Sequence, residues 1–190
     1  MKRALAIGWP VVAILISLTT TPQLHARDHL FIQLGGNYLR SLDKGFQATY
    51  GADQFSPELK AGLRLIDGIY AWLGDSAIFS QTTIPVVEDM AHSWQNFLGG
   101  GLMWKLALGR TFSWTIHAGA HGVFLRETLA DAVSHHWLLG FETGTGIDFR
   151  ITRRYYAGLG FSFLFARGTV GETEIFPGGL RAGVNLGILL

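Results

Sequence analysis

Apolar and polar side chains alternate along most of the chain, and the alternation is clearest between Phe112 and Thr152. In residues 112–124 the even positions are apolar or small. In residues 137–151 most apolar residues fall on odd positions: Trp137, Leu139, Phe141, Ile147, Phe149 and Ile151. A period of two predicts strands whose side chains alternate between the two faces of a sheet. Both runs are longer than the ~5–6 residues of a common strand.

The same alternation predicts eight strands along the chain. They are residues 30–42, 58–66, 69–83, 94–108, 112–128, 136–152, 155–169 and 176–190. The connections alternate between long segments (43–57, 84–93, 129–135 and 170–175) and short turns, of which Asp67-Gly68 is a typical tight hairpin. In the third run the alternation is poor around Gly74 and Asp75, where we expect a β-bulge.

Residues 1–26 have the parts of a secretory signal: a basic start, an apolar stretch and Ala26 before the expected cleavage point. The alternative is an N-terminal anchor, but the apolar stretch is shorter than the ~20 residues of a spanning helix. Cleavage would leave residues 27–190 as one domain, with 13 basic residues (15 less the two in the signal) and 14 acidic ones. This balance argues against a nucleic-acid partner.

The chain has no cysteine, so disulfides cannot stabilise an exported domain. Closing a sheet into a barrel stabilises it differently, because no strand edge remains unpaired. Long antiparallel strands with long loops at one end and short turns at the other are typical of outer membrane barrels. Aromatic residues form two expected belts at the lipid–water boundaries. They are Trp72, Trp104, Trp114 and Tyr155 near the short turns, and Tyr38, Trp94, Trp137 and Phe165 near the long loops.

In strand number, loop alternation and aromatic belts, residues 30–190 resemble the small eight-stranded outer membrane proteins, the OmpA-, OmpX- and OmpW-like barrels. The resemblance implies an all-β, antiparallel, up-and-down transmembrane β-barrel in the outer membrane of a Gram-negative bacterium. It also implies contact with lipopolysaccharide, other outer membrane lipids and the assembly machinery, and a monomer by default. A soluble β-sandwich is the alternative fold, but the strand lengths disfavour it.

The polar face of the predicted strands would line a lumen just wide enough to be filled by side chains. The candidate lumen network carries both signs of charge. It consists of Lys60, Arg64, Asp75, Lys105, His117, His121, Glu142, Asp148, Arg150, Arg181 and Asn185. One interpretation is a plug that stabilises the barrel, and the other is a narrow polar passage. Folding residues 112–152 as a hairpin about residues 131 and 132 places His121 opposite Glu142 and Glu127 opposite His136.

Basic residues at the long-loop end, Arg40, Lys44, Arg126 and Arg167, are candidates for contact with lipopolysaccharide phosphates. The adjacent His135 and His136 point to opposite faces of a strand, so the sequence predicts neither a metal site nor a cofactor.

The favoured function is non-catalytic: a structural or surface-exposed barrel with limited solute passage, in which no residue is catalytic. The rival is an outer-leaflet lipid hydrolase resembling the lipid A deacylases, which place His and Ser two residues apart on a strand. This chain contains no His-x-Ser, and His92-Ser93 and Ser134-His135 have the wrong spacing.

Overall fold

The computed structural model describes residues 29–84, 89–129, 132–170 and 173–190. These residues form nine strands and one short helix. The elements are β1 (Leu30–Ser41), α1 (Lys44–Tyr50), β2 (Asp53–Ile66), β3 (Ile69–Ile84), β4 (Asp89–Leu108), β5 (Phe112–Leu129), β6 (Ala132–Arg150), β7 (Tyr155–Val170), β8 (Thr173–Ile175) and β9 (Gly179–Leu189). The expected signal, residues 1–26, lies outside the described residues. No helix within them is long and apolar enough to cross a membrane.

Every strand except β8 belongs to one closed antiparallel sheet. Neighbours in the chain pair in order from β1 to β7, β7 pairs with β9, and β9 pairs with β1 to complete the circle. The expected all-β, closed, eight-stranded antiparallel barrel is therefore confirmed. We call the end with the β1–β2, β3–β4, β5–β6 and β7–β9 connections the loop end. The opposite end, which carries the short turns and both ends of the barrel chain, is the turn end.

At the loop end the strands run further than the apolar pattern indicates. The β3–β4 ladder continues to Ile84 opposite Asp89, and the β5–β6 ladder continues to Leu129 opposite Ala132. The predicted long connections 84–93 and 129–135 are therefore mostly strand. The backbone ladder does not require apolar side chains, so it persists beyond the apolar band.

Two other predicted connections contain structure of their own. Segment 43–57 holds α1, whose first turn is capped by the Asp43 carboxylate, which accepts from the backbone amides of Gly45 and Phe46. The other oxygen of Asp43 accepts from the backbone amide of Phe176, 3.0 Å away, and so joins this connection to the one before β9. Segment 170–175 includes β8, which pairs back onto the end of β7.

The turn between β2 and β3 forms as predicted, with Gly68 at a φ of 75°. The bulge does not. Pairing runs without interruption through Gly74 and Asp75, and the register shift lies instead between Arg64 and Ile66 on β2. The even positions of β3 consequently face the lumen from Tyr70 to Ile78, and the odd positions face outward.

Trp72 is one of these even positions, so it lies in the lumen, with 2% of its surface exposed, and not in the aromatic belt where it was expected. Its indole Nε1 donates to the backbone carbonyl of Leu102, 3.2 Å away. A Cβ at Gly119 would come within 2.6 Å of the Trp72 ring, and a Cβ at Gly62 would overlap the ring of Phe31. Glycines on facing strands thus leave the volume that two large lumen aromatics occupy.

The same phase corrects Asp75, which was expected in the lumen network and lies on the outer surface. It pairs with Leu59 and Leu98, both outward-facing positions. Because β3 has no bulge, Asp75 stays on the same face as Leu73 and Ala77. Its carboxylate accepts a 2.6 Å hydrogen bond from the side-chain amide of Asn96 on β4.

Candidate functional site: the filled lumen

Two apolar layers cross the lumen, one towards each end. The layer towards the loop end is built by inward residues from six strands: Leu39, Ile78, Phe97, Val123, Leu138, Leu164 and Ala166. The layer towards the turn end consists of Phe31, Tyr70, Trp72, Met103, Tyr156 and Leu189. All of these side chains are at most 7% exposed, so the interior is packed at both levels.

Between these layers lies a charged network centred on Glu142 of β6, which is 2% exposed. One carboxylate oxygen lies 2.5 Å from Nε2 of His121 and 3.6 Å from a guanidinium nitrogen of Arg181. The other lies 3.3 Å from Nε2 of His117. Arg181 also donates to the hydroxyl of Ser76 at 2.6 Å. Glu142 therefore joins β5, β6 and β9 across the lumen.

Two further ion pairs complete the charged layer. The Lys60 ammonium lies 3.1 Å from Glu58, whose other oxygen accepts from the side-chain amide of Asn37 at 3.1 Å. The Lys105 ammonium lies 2.5 Å from Asp148. Both pairs are largely buried, and each buried charge has an opposite charge at contact distance, as burial in a low-dielectric interior requires.

The charged and apolar layers are packed directly against each other. The Lys60 ammonium lies 4.8 Å from the centre of the Trp72 ring, and the Lys105 ammonium 4.2 Å from that of Tyr156. On the loop side, the Arg181 guanidinium lies 5.6 Å from the Phe97 ring centre. Each cation is thus held by both an anion and an aromatic face.

Glycines make room for the charged layer as well as for the aromatics. A Cβ at Gly99 would overlap the His121 ring, and a Cβ at Gly144 would lie 2.5 Å from the His117 ring. Each of these glycines lies opposite its histidine in the ladder of neighbouring strands, so the space that the glycine leaves is filled by its cross-strand partner.

His121 and Glu142 meet, but in a different register from the one expected. The observed β5–β6 ladder places Glu142 opposite Gly119 and His121 opposite Gly140, a shift of two residues. The shift keeps both side chains on the inward face and makes the contact diagonal. Glu127 correspondingly faces Ser134 rather than His136, and the Ser134 hydroxyl donates to it at 3.3 Å.

Of the remaining candidate lumen residues, Arg64 and Arg150 lie at the turn end and Asn185 lies near the centre. Arg64 and Arg150 line a cavity of about 350 Å³ at the turn-end mouth, where Arg64 pairs with Asp67. Asn185 lines a central cavity of only about 50 Å³ beside Glu142 and Arg181. Within the described part of the chain, Oδ1 of Asn185 and Nε of Arg181 have no hydrogen-bond partner. Polar walls and this size suit ordered water.

The four basic residues of the loop end do not form one patch. Arg40 on β1 and Arg126 on β5 lie on opposite sides of the barrel, Arg167 is on β7, and Lys44 opens α1. Arg40, Lys44 and Arg167 are exposed, and Arg126 is partly exposed. The Arg167 guanidinium bonds Glu174 at 2.9 Å in an exposed pair.

The two lumen histidines are paired with a carboxylate and not with a serine. Among the described residues, no serine hydroxyl hydrogen-bonds a histidine, and no group of three His, Asp or Glu side chains has the arrangement of a metal site. His92 lies on the outward face of β4 and Ser93 on the inward face, and Ser134 and His135 divide between faces in the same way.

Sequence reasoning did not identify the apolar lumen layers or the roles of Glu58 and Ser76. A signal existed for Glu58, which shares the inward face of β2 with Lys60, two residues away. The sequence carries a weaker signal for the apolar layers. Inward positions such as Phe97, Val123 and Leu125 break the polar face at the loop end of β4 and β5.

Comparison with solved structures identifies the fold. Neisserial surface protein A has a TM-score of 0.65 and 14% identity, over 85% of this chain and 97% of that one. The outer membrane protein OprG of Pseudomonas aeruginosa has a TM-score of 0.61 and 13% identity, over 86% and 97%. The attachment invasion locus protein Ail of Yersinia pestis has a TM-score of 0.58 and 9% identity, over 87% and 100%.

No protein-family model matches the chain, and no curated protein matches it in sequence. The expected similarity to small eight-stranded outer membrane barrels is confirmed at the level of fold. The three relatives are named as surface, attachment and outer membrane proteins and not as enzymes. At these identities the likeness does not carry a function from them to this chain.

Because Glu142 is the centre of the charged layer, removing its carboxylate should destabilise the barrel. We expect Glu142→Ala to lower the free energy of unfolding by about 3–5 kcal/mol, because Arg181 and two histidines lose their shared carboxylate in a buried site. Urea unfolding of the refolded protein, followed by tryptophan fluorescence, measures this change. The matched control is Glu174→Ala, which removes the exposed partner of Arg167 and should change stability little. Equal unfolding midpoints for the two variants would contradict the assignment.

Proposed function

We propose that this chain is a non-catalytic outer membrane β-barrel protein of a Gram-negative bacterium, with a structural or surface-exposed role and a lumen that admits at most very limited solute passage. The observation that carries the proposal is the lumen itself. Its charged layer is internally paired and lies between two buried apolar layers. A side-chain interior packed in this way supports the barrel wall and leaves the surfaces of the barrel to make its external contacts.

The outer surface supports placement in a membrane. Large apolar side chains that would be buried in a soluble protein are exposed all round the barrel, among them Leu34, Phe79, Leu139, Leu159 and Leu186. Soluble monomers rarely expose a continuous apolar surface of this extent. With residues 1–26 acting as a cleaved export signal, the outer membrane assembly machinery would insert the barrel with its loop end outside.

Fractionation tests this placement. The protein should be recovered with the outer membrane and should migrate differently on gels before and after heating, because a closed barrel resists detergent until heated. Leu186→Arg should destabilise it by about 2–4 kcal/mol, since that side chain would face the hydrocarbon. Asn185→Ala, the neighbouring inward position, should be milder. Recovery as a soluble periplasmic protein would refute the placement, and equal tolerance at the two positions would refute the assignment of faces.

Planar-bilayer recording tests the filled lumen. We expect the refolded protein to insert without producing a steady conductance in concentrated KCl, because ions would have to cross two buried apolar layers. A general porin recorded in the same bilayers is the positive control for insertion conditions, and heat-modifiable migration of the recovered protein shows that it was folded. A reproducible open level would overturn the closed-lumen proposal without affecting the membrane placement.

For the loop end we propose contact with lipopolysaccharide phosphates through Arg40, Lys44, Arg126 and Arg167. Arg126 gives the most direct support. With Phe79 and Trp94, which lie in the same row of the β3–β4 and β4–β5 ladders, it lines an outer cavity of about 340 Å³. Guanidinium groups bind phosphate strongly, and aromatic rings favour the membrane boundary.

A matched pair of triple variants tests this contact. Replacing Arg40, Arg126 and Arg167 by Ala should weaken lipopolysaccharide binding several-fold in a salt-sensitive manner, measured by native mass spectrometry of the refolded protein. The control replaces Arg110, Arg153 and Arg154, exposed residues of the turn end, and removes the same charge. An equal loss in both variants would mean that general charge, rather than the loop-end residues, determines binding.

A further inference from the structure

The outer surface carries one polar pair that the proposed function does not use. Asp75 on β3 and Asn96 on β4 both face outward, and the Asn96 amide donates to the Asp75 carboxylate at 2.6 Å. Their outward neighbours in the ladders are Leu59, Leu98 and Phe124. Among the described residues between the two aromatic belts, Asp75 is the one ionisable side chain on the outer face.

Other polar side chains on this face use their hydrogen bonds within the chain. The Thr145 hydroxyl accepts from the Trp114 indole at 2.6 Å and donates to the carbonyl of Thr115 at 3.0 Å. The Thr143 hydroxyl donates to the carbonyl of His117 at 3.4 Å. These groups present no unused donor to their surroundings, as a lipid-facing surface requires.

The Asp75–Asn96 pair is different. The amide of Asn96 carries two N–H groups, and its bond to Asp75 uses one of them. The carboxylate of Asp75 accepts more than one hydrogen bond, and the side chain is only partly buried. Acyl chains offer neither a donor nor an acceptor, so a polar pair facing hydrocarbon is costly unless another protein surface covers it.

We propose that the β3–β4 face is the interface of a homodimer, in which Asp75 and Asn96 of each copy bind Asn96 and Asp75 of the other. This inference rests on the proposed membrane placement. It departs from the monomer expected by default for a barrel of eight strands. The partner is a second copy because the pair is complementary to itself.

The symmetry of a membrane dimer allows this complementarity. A two-fold axis parallel to the barrel axes preserves height in the membrane and exchanges left with right across the interface. Asp75 and Asn96 lie diagonally on neighbouring strands, so the carboxylate and amide of one barrel would meet the amide and carboxylate of the other around this axis. The second N–H of each Asn96 would donate to the facing Asp75, so that each carboxylate would accept a bond from the partner in addition to those from Asn96 and the backbone N–H of Ser76 in its own chain.

The side chains around the pair permit this approach. Ala77 lies opposite Asn96 in the β3–β4 ladder, and Gly100 lies opposite Ala120 in the β4–β5 ladder. These small outward residues lie among larger ones such as Leu73 and Leu102, each more than half exposed, which would pack against the second barrel.

Disulfide cross-linking in isolated outer membranes tests the proposal cleanly, because the chain has no cysteine of its own. Ala77→Cys places one thiol beside the proposed axis. Ala182→Cys, an exposed outward position on β9, places one on the opposite side of the barrel. On oxidation, Ala77→Cys should give a covalent dimer of twice the monomer mass, and Ala182→Cys should remain a monomer. Equal cross-linking of the two variants would overturn the interface.

A second arm removes the polar pair within the cross-linking variant. Asp75→Leu with Asn96→Leu should abolish the Ala77→Cys dimer while the protein still fractionates with the outer membrane and keeps its heat-modifiable migration. An undiminished dimer would overturn the role of the pair, and a cross-linked band of another mass would assign the face to a different protein. Absence of the parent protein from the outer membrane would instead refute the membrane placement. Correct fractionation without any cross-link would refute the dimer alone.

Discussion

Closure of the strand ladder is the constraint on which the rest of this structure depends. Once β9 pairs with both β1 and β7, the barrel sheet is closed, and each side chain of its paired strands faces the inside or the outside. A change of phase in one strand therefore moves its whole set of side chains to the wrong medium. The structure has no neutral face on which a misplaced charge or aromatic ring can remain solvated.

The inside meets this constraint by combining charge and apolar bulk. In a purely charged lumen of this diameter, the ion pairs would have no aromatic rings above and below them along the barrel axis. A purely apolar lumen would need large side chains at every level. Here the charges are confined to a central layer with Glu142 at its middle, and aromatic faces of Trp72, Tyr156 and Phe97 close that layer above and below. Breaking one ion pair therefore exposes a charge to an apolar neighbour, which makes the layers dependent on each other.

The fold could be predicted from the sequence because apolar and polar side chains alternate along a strand that faces lipid on one side and a polar lumen on the other. It placed His117, His121 and Glu142 on one inward face, which depends only on odd and even positions. It did not place the two-residue register of β5 and β6, because the register depends on where the hairpin closes, and residues 129–135 offer several equivalent turning points. The apolar layers were not predicted because Phe97 and Val123 are apolar residues at inward positions, which the pattern expects to be polar. Their packing becomes evident only when the strands are assembled around the lumen.

The largest difference between the sequence prediction and the structure concerns β3, where Trp72 and Asp75 lie on the opposite faces from those expected. Between Trp72 and Asp75 the chain presents an aromatic residue inward and a carboxylate outward, the reverse of what hydropathy favours. The inward ring is explained by Gly119 and by Lys60, which supply a volume and a cation for it. The outward carboxylate accepts from the side-chain amide of Asn96 and from the backbone N–H of Ser76, which satisfy part of its hydrogen-bonding capacity. When the fold places a polar side chain on an apolar surface and the chain itself does not satisfy all of its hydrogen bonds, a contact with another molecule is the natural explanation. On β3 that reasoning leads from a failure of alternation to a surface that a second barrel would complete.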